Sequence, residues 1–328
     1  MGNILKIQKT YKKEILDIEN MHDADTECPS LTELQYIAIS GGSSNGMVYV
    51  GAYKSLWEHG VIEKLRGAVG TSIGSLFALL CVLNYDPKCL IERIIALDTK
   101  TLADSDVVLV KKIENFVTNW GVSTGVALTE FVEMILDETC GDKKITFRNL
   151  YDKTKKHLKI TVFNVTKVTT EYWDHENHPD MCISTAVRAS TAVPLLFEPL
   201  RVGDQIYVDG GVGDVFPFEA FDPAKCETFG LMVFDAIDHK TPSLVDRVDI
   251  TTMEQYMFAV YLGMSTTNFR LKHRGTDWCK RTIALYGPNK STWDFSFTTE
   301  EKINVITGGY IGTNDQVRYF ASHGIFPQ

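Results

Sequence analysis

Residues 67–83 read GAVGTSIGSLFALLCVL, and they carry the clearest signal of the fold in this sequence. A very short β-type run is followed by a turn that places Ser72 close to two glycines, and an apolar segment then continues from Ile73 to Leu83. That segment is about half as long as a membrane-spanning helix must be, so we expect a buried helix. Strand, glycine turn and helix in this order are typical of a parallel α/β sheet.

The same unit occurs once before in the chain. Residues 36–40 read YIAIS, a short β-type run that ends at Gly41 and Gly42, and residues 47–60 carry apolar side chains at helical spacing. Gly60 is the residue type expected just beyond the end of a helix. Two such units in succession predict a parallel sheet with helices packed against it.

The rest of the chain alternates between helical and strand-like patterns. Residues 87–140 are mainly helical in pattern, and we expect them to cover the sheet and to form a wall of the functional site. Helix is predicted again beyond Met253, and further strands are predicted at 159–166, 172–175, 205–211 and 229–234.

Nothing in the sequence divides the chain into several domains. Internal repeats, low-complexity blocks and linkers rich in proline and glycine are all missing from the sequence. We therefore predict a single domain over residues 31–328, preceded by a polar, partly helical lead-in over residues 1–30. The lead-in is either a solvated helix that packs on the domain or a segment that touches a membrane.

The composition predicts a globular protein in a reducing compartment. The 328 residues are 44% hydrophobic and carry a net charge of −9, so no long-range attraction draws the chain to nucleic acid or to an anionic membrane. The seven cysteines are scattered and contain no C-x-x-C pair, which argues against a disulfide framework and a zinc site. The first residues lack an apolar core typical of a signal peptide, so we expect a cytoplasmic location.

The pattern G-x-S-x-G at residues 70–74 suggests a chemical role for Ser72. At a strand-to-helix turn such a serine takes a strained conformation with its Oγ exposed, and the glycines avoid collisions with the neighbouring strand and helix. The helix that begins at Ile73 directs its free N–H groups towards an oxygen that becomes negatively charged during acyl transfer. Ser72 is therefore a candidate nucleophile, and the alternative is a serine that only relaxes a tight turn.

Acyl transfer also needs hydrogen-bond donors for the developing oxyanion. Residues 41–46 read GGSSNG and open a helix, so this loop offers a second group of exposed backbone N–H donors. The alternative is a loop that cradles phosphate, although no lysine follows Gly46 as a phosphate-binding P-loop would require.

A nucleophilic serine needs a base, and Asp209 is the best candidate. It ends the strand-like run at 205–208 and is followed by Gly210 and Gly211, so the backbone can approach closely and hold the carboxylate at the carboxyl end of the sheet. Desolvation would raise the pKa of Asp209 above its reference value of about 3.9 and make it a usable base. The alternative is a buried carboxylate with a structural role.

Four blocks in order resemble the patatin-like phospholipase family: the glycine loop at 41–46, G-x-S-x-G at 70–74, RASTAVPLLFEP at 188–199 and VDGG at 208–211. The resemblance implies a three-layer α/β/α fold with a mixed, mostly parallel central sheet. It also implies a catalytic Ser–Asp dyad, without histidine, that hydrolyses fatty-acyl esters of membrane lipids through an acyl-enzyme.

The resemblance assigns roles to individual positions. Ser72 is the nucleophile and Asp209 is the base. The backbone N–H groups of Gly41 and Gly42 are oxyanion donors, with those of Ser43 and Ile73 as further donors. The glycines of the family motifs are Gly46, Gly70, Gly74, Gly210 and Gly211. The block at 188–199 is structural in that family.

The sequence departs from the family pattern in two places. Ser43 replaces the usual third glycine of the loop, and Asn45 replaces the usual arginine or lysine. Asp214 and Val215 stand where an asparagine is usual shortly before a proline. These departures motivate an alternative function, a catalytically weakened lipid-binding or interaction protein on the same fold.

The leading hypothesis is a serine hydrolase of the phospholipase A or lysophospholipase type that meets its lipid at a membrane or micelle surface. No cofactor, metal ion, nucleic acid or transmembrane segment is expected. A conventional Ser–His–Asp esterase is a third hypothesis, with either His273 or His323, both in polar surroundings, as the relay.

Two further segments have competing interpretations. The basic stretch at 143–159 could contact lipid headgroups or could form a solvated helix face. Residues 174–178 read DHENH, which has the spacing of metal ligands but is more typical of the cap of a hairpin.

Overall fold

The computed structural model describes residues 35–103, 109–221, 228–234, 250–251, 253–273, 278–288, 290 and 294–322. The predicted lead-in at 1–30 and His323 lie outside these residues. The strands, in chain order, are β1 (Tyr36–Ile39), β2 (Gly67–Thr71), β3 (Gly121–Ser123), β4 (His157–Asn164), β5 (Thr169–Trp173), β6 (Leu195–Phe197), β7 (Leu200–Val202), β8 (Gln205–Asp209), β9 (Thr228–Phe234) and β10 (Thr282–Tyr286).

Helices lie where the sequence predicts them, at 47–60 and 73–83, within 87–140 and beyond Met253, and the structure adds others between these regions. They are α1 (Val48–Glu58), α2 (Val61–Lys64), α3 (Ile73–Leu83), α4 (Pro87–Ala96), α5 (Leu109–Asn119), α6 (Val126–Cys140), α7 (Phe147–Thr154), α8 (Ile183–Ser190), α9 (Met253–Lys272) and α10 (Thr299–Ser322). Short 3₁₀ helices lie at Ser43–Met47, Thr99–Ala103, Gly210–Val212 and Trp278–Arg281.

The central sheet is mixed and mostly parallel. Within the described residues its strand order is β10-β9-β1-β2-β4-β8-β7, and β5 also pairs with β4. The five strands from β10 to β4 are parallel to their neighbours, whereas β5 and β8 run antiparallel to β4, and β7 runs antiparallel to β8. The predicted α/β class and mixed sheet are confirmed.

Successive residues of the central strands lie on opposite faces of the sheet, and each face has its own apolar core. Ile37 and Ile39 of β1 belong to a large core that includes residues of α1, α3 and α10. Ala38, between them, belongs to a second core with Phe216 and with Phe269 of α9. Helices therefore cover both faces, which is the three-layer arrangement that the family resemblance implies.

Within 87–103 and 109–140 the predicted helical region contains α4, α5 and α6, interrupted by the short strand β3. The strand predicted at 172–175 is displaced, because the side chain of Asp174 accepts hydrogen bonds from the N–H groups of Glu176 and Asn177 and begins a turn. The DHENH segment is thus a turn between β5 and α8, and not the cap of a hairpin. The sequence analysis also missed β10 and the three-residue strands.

Among the described helices, none combines the length with the apolar character that a bilayer crossing requires.

Candidate active site

Ser72 lies between the last residue of β2 and the first residue of α3 in a strained conformation, with φ of 54° and ψ of −130°. Hydrogen bonds hold this turn on both sides. The Ser72 N–H donates to the Oγ of Ser190 at 2.9 Å, and that Oγ in turn donates to the carbonyl of Thr161 at 2.7 Å. The Oγ of Ser75 donates to the Ser72 carbonyl at 2.6 Å.

The glycines of the turn allow the helix to approach the strands closely. A Cβ added to Gly74 would lie 2.4 Å from the carbonyl oxygen of Ile39, and one added to Gly70 would lie 2.1 Å from the carbonyl oxygen of Gly74. A Cβ at Gly46 would lie 2.7 Å from the side chain of Ile73. These contacts are the steric reason that the sequence pattern requires glycine here.

Asp209 ends β8 and is fully buried. Its Oδ1 accepts hydrogen bonds from the N–H of Gly211 at 2.7 Å and from the hydroxyl of Tyr261 at 3.1 Å. Its own N–H donates to the carbonyl of Ala192 at 2.8 Å. Gly210 is also required, since a Cβ there would lie 2.4 Å from the carbonyl oxygen of Thr161.

The structure brings Ser72 and Asp209 together. Ser72 directly follows Thr71, which pairs with Thr161 of β4, and Asp209 pairs with the adjacent Val162, so the serine hydroxyl lies close enough to the carboxyl to oppose the rise of its pKa. Within the described residues the buried Oδ2 of Asp209 has no hydrogen-bond partner, whereas Oδ1 accepts two hydrogen bonds. Catalytic hydrogen bonds are often loose before a substrate binds.

Burial dominates the electrostatics of Asp209. Removal from water raises the pKa of its carboxyl to about 6, against the opposing effect of hydrogen bonds from Ser72, Gly211 and Tyr261. A carboxyl with a pKa near 6 is ionised at neutral pH and is more basic than an exposed one. Its electrostatics therefore suit the abstraction of a proton from an alcohol.

The glycine loop differs from the prediction at Gly41. The N–H of Gly41 donates to the carbonyl of Val215 at 2.9 Å, so this group is not available to an oxyanion in the present conformation. The first hydrogen bond of the following 3₁₀ helix runs from the N–H of Asn45 to the carbonyl of Gly42. The N–H groups of Gly42 and Ser43 precede that bond and are not used by it.

The N–H of Ile73, in the first turn of α3, is a third potential donor beside the serine. The hydroxyl of Ser43 is buried and, in the part of the chain that the structure describes, has no hydrogen-bond partner. Ser43 has a φ of 48°, the left-handed region that favours the glycine usual at this position.

The other departures from the family pattern have local explanations. Asn45 is buried, and a Cβ added to Gly287 would lie 2.4 Å from its side chain, so no space remains for a long basic residue. The buried carboxylate of Asp214 accepts hydrogen bonds from the hydroxyl of Tyr172 and from the ammonium group of Lys272. An ion pair thus stands where the family has an amide.

An apolar pocket lies beside the strand-to-helix turn that carries Ser72, which we call the elbow. It has a volume of about 570 Å³, part of which is open to solvent. Ser43 and Ile73 form its end near the nucleophile, and residues of the predicted wall at 87–140 form much of the remainder. The side chains that enclose it include those of Leu90, Ile94, Leu128, Phe131, Phe295 and Phe297.

Most cations of the basic stretch at 143–159 already have partners. The ion pairs and hydrogen bonds are Lys144 with Glu133, Arg148 with Asp180, Lys155 with Asp152, Lys159 with Asp174, Lys153 with the Cys140 carbonyl and Lys156 with the Ile62 carbonyl. This pattern favours the interpretation as a solvated helix face over a headgroup site.

His273 does not lie in polar surroundings as predicted. Its ring packs in an aromatic cluster with Phe216, Phe269 and Trp278, and its Nε2 donates to the carbonyl of Phe216 at 3.0 Å. Burial lowers the pKa of this imidazole. These contacts give His273 a structural role beside the second apolar core.

His157, His175 and Glu176 each place one potential ligand atom within 4.8 Å of the others. His157 begins β4 and pairs with Gly67 at the start of β2. This cluster therefore lies at the amino ends of these strands, whereas Ser72 lies at the carboxyl end of β2. It is separate from the candidate active site.

Sequence reasoning missed two residues of the site, Ser190 and Tyr261. Ser190 belongs to the block at 188–199 and is the last residue of α8, but that helix also contains Ser184, Thr185 and Arg188, so no local signal singled Ser190 out. Nothing in the sequence pairs Tyr261 with Asp209, because they meet only through the packing of α9.

The fold and the site define an α/β protein in which a serine at a glycine-flanked elbow meets a buried aspartate from a neighbouring part of the sheet. A model described as patatin-like phospholipase matches residues 37–222. Because this match covers more than half of the chain, the protein belongs to the patatin-like phospholipase family, as the four sequence blocks predict.

Individual relatives are more distant. The chain is 26% identical over 183 residues to a probable lipid hydrolase of Invertebrate iridescent virus 6, and the match spans 56% of this chain and 61% of that relative. It is 22% identical over 299 residues to an uncharacterized protein of Acanthamoeba polyphaga mimivirus, across 90% of this chain and 97% of that protein.

The crystal structure of VipD from Legionella pneumophila is similar in fold. It matches with a TM-score of 0.58 and 18% identity, across 92% of this chain and 72% of that one.

Proposed function

We propose that this protein is a lipid acyl hydrolase in which Ser72 is the nucleophile and Asp209 is the general base. The observation that carries the proposal is the register of β4, which sets Ser72 beside the buried carboxyl of Asp209. Family membership supports lipid hydrolysis in general, and this pair supplies the chemistry for it.

The reaction then has two steps. Asp209 accepts the proton of Ser72 as the serine oxygen bonds to the carbonyl carbon of an acyl ester, and collapse of the oxyanion expels the alcohol, which takes the proton. In the second step Asp209 accepts a proton from water, the water oxygen attacks the acyl-enzyme, and the fatty acid leaves as the proton returns to Ser72. The N–H groups of Gly42, Ser43 and Ile73 would stabilise the oxyanion in both steps.

The apolar pocket would hold the acyl chain. Its lining includes Ile73, which directly follows Ser72, and Ser43 of the glycine loop, so an acyl chain in the pocket would extend from an ester group held at Ser72. The proposed substrate is therefore a phospholipid or lysophospholipid at a membrane or micelle surface, met by a cytoplasmic enzyme that binds the surface peripherally.

A weakened, lipid-binding protein is the second candidate. The hydrogen bond from the Gly41 N–H to Val215 favours it, because one of the family's oxyanion donors is occupied. Retained binding to liposomes, together with no measurable turnover of short acyl esters, would select this function.

Covalent labelling tests the leading proposal. A fluorophosphonate probe should label the wild type and Ser55→Ala, a control that removes a buried hydroxyl without a hydrogen-bond partner in the described structure, but should not label Ser72→Ala. Asp209→Asn should fold and lose turnover of a panel of lipid esters, and EDTA should leave wild-type turnover unchanged. Labelling that persists in Ser72→Ala would remove the assignment of the nucleophile.

A further inference from the structure

Helix α9 lies outside residues 37–222, yet it contacts the loop that carries Asp209. The Tyr261 hydroxyl donates to the Oδ1 of Asp209 at 3.1 Å. The Nδ2 of Asn268 donates to the carbonyl of Val212 at 2.6 Å. A third contact is the ion pair between Lys272 and the Asp214 carboxylate.

The three contacts come from one face of the helix. Residues 261, 268 and 272 are separated by seven and four positions, which is the spacing of a single helical face. Their partners lie within residues 209–214, the segment that leaves β8. One rigid element thus holds the loop that follows Asp209 at its beginning, its middle and its end.

Tyr261 is held firmly enough to position a carboxylate. It is buried, and its ring packs in a small apolar core with Val193, Leu196 and Met257. A Cβ added to Gly211 would lie 2.1 Å from the Tyr261 hydroxyl oxygen. Glycine at this position therefore makes room for the tyrosine as well as donating its own N–H to Asp209.

We propose that Tyr261 is a positioning residue for Asp209, and that α9 is part of the active site. The hydroxyl of Tyr261 and the N–H of Gly211 both bind Oδ1, which leaves Oδ2 as the oxygen that receives the proton of Ser72. This inference rests on the proposed function, since it assigns a role relative to Asp209 as the base.

The electrostatics agree with a permanent donor. Burial, together with the adjacent Asp209 carboxylate, raises the pKa of Tyr261 well above its usual value. The phenol therefore stays protonated over the pH range in which the enzyme is active. The hydrogen bond from Tyr261 in turn lowers the pKa of Asp209 and partly offsets the effect of its burial. Loss of the hydroxyl should therefore make Asp209 harder to ionise.

The test is the pH dependence of ester turnover in Tyr261→Phe, which keeps the ring and removes the donor. We expect the midpoint of the acidic limb to move to higher pH by on the order of one pH unit, with a lower kcat and little change in KM. Tyr256→Phe is the matched control, because Tyr256 is exposed on the same helix, and its profile should equal that of the wild type.

A second variant retains both the hydroxyl and the packing. Replacement of Tyr261 by 3-fluorotyrosine makes the phenol a stronger donor, so the midpoint should move to lower pH. If both variants fold and show the wild-type midpoint, Tyr261 has only a structural role, even if the rate falls. If Tyr261→Phe does not fold, the direction of the fluorotyrosine shift decides.

The two proposals fail in different ways. An inactive wild type, or activity that survives in Ser72→Ala, would overturn the proposed function and this inference with it. Wild-type activity that depends on Ser72, combined with unshifted profiles in the Tyr261 variants, would overturn only the role of Tyr261.

Discussion

Thr71 and Asp209 pair with adjacent residues of one strand: Thr71 lies opposite Thr161 of β4, and Asp209 lies opposite Val162. Ser72 directly follows Thr71, so the register of β4 with its two neighbours brings the serine to the carboxylate. The two strands approach β4 in opposite directions, since β2 is parallel and β8 is antiparallel to it. Their ends meet because β8 stops partway along β4.

Activity should depend on pH through Asp209. The pKa of this group is raised to about 6 by burial, and only the ionised carboxylate can accept the proton of Ser72. We expect kcat/KM to fall about tenfold for each pH unit below about 6 and to level off above it. A pH-rate profile with a short soluble ester measures this, and a profile that stays flat down to about pH 4 would contradict Asp209 as the base.

Stability should depend on pH through the same group. Because folding raises the pKa of Asp209 from 3.8 to about 6, the folded protein gains stability from its protonated form below pH 3.8 and loses it as pH rises through 6. Asp209→Asn should therefore gain on the order of 2–3 kcal/mol in unfolding free energy relative to the wild type at about pH 8, but not at about pH 4.

Chemical denaturation at the two pH values measures that difference. If Asp209→Asn changed the unfolding free energy equally at the two pH values, burial would not raise the pKa of this carboxyl.

Ser190 should matter for catalysis without touching the substrate. Ser190→Ala leaves the N–H of Ser72 without its acceptor, which we expect to cost about 1–3 kcal/mol and to lower kcat by about 5- to 150-fold. Ser184→Ala on the same helix is the control, because the Ser184 hydroxyl is buried with no hydrogen-bond partner among the described residues. Equal kinetics in the two variants would contradict a role for Ser190 in holding the elbow.

The glycine at the start of α3 should be important for stability. A Cβ in Gly74→Ala would lie 2.4 Å from the Ile39 carbonyl and 2.5 Å from that of Ser40, and relief of this overlap should cost about 3 kcal/mol. Gly263→Ala, in α9 with no atom near the added Cβ, should instead gain up to about 1 kcal/mol from helix propensity. Thermal unfolding compares the two, and an unchanged melting temperature in Gly74→Ala would show that α3 packs less closely.

The apolar pocket should select long acyl chains. Leu128→Trp fills part of it, so kcat/KM for a dodecanoyl ester should fall at least about tenfold, since each buried CH₂ contributes about 0.8 kcal/mol. Turnover of a butyryl ester should change little. Val126→Trp, at an exposed position of the same helix, is the control, and a loss of dodecanoyl turnover there as large as in Leu128→Trp would exclude the pocket as the cause.

Local patterns were sufficient for much of the fold. The two units of strand, glycine loop and helix at 36–60 and 67–83 predict β1, α1, β2 and α3. Their hydrophobic periodicity and their glycines depend only on steric contacts between residues that are near in the chain. Short strands such as β6 and β7 contain too few residues for a visible alternation, so their pairing depends on distant partners. The turn at Asp174 was misread as strand, since its side-chain hydrogen bonds compete with the sheet.

The strained turn at Ser72 and the glycines around it could be read from the amino-acid sequence, because backbone conformation and close approach there are set by residues near in the chain. The availability of the oxyanion donors depends on long-range packing, since the Gly41 N–H donates to the carbonyl of Val215, far along the chain. The tertiary structure also decides that a tyrosine from α9 binds Asp209. Hydrogen bonds and burial depend on which surfaces pack together, and a local sequence pattern does not predict that packing.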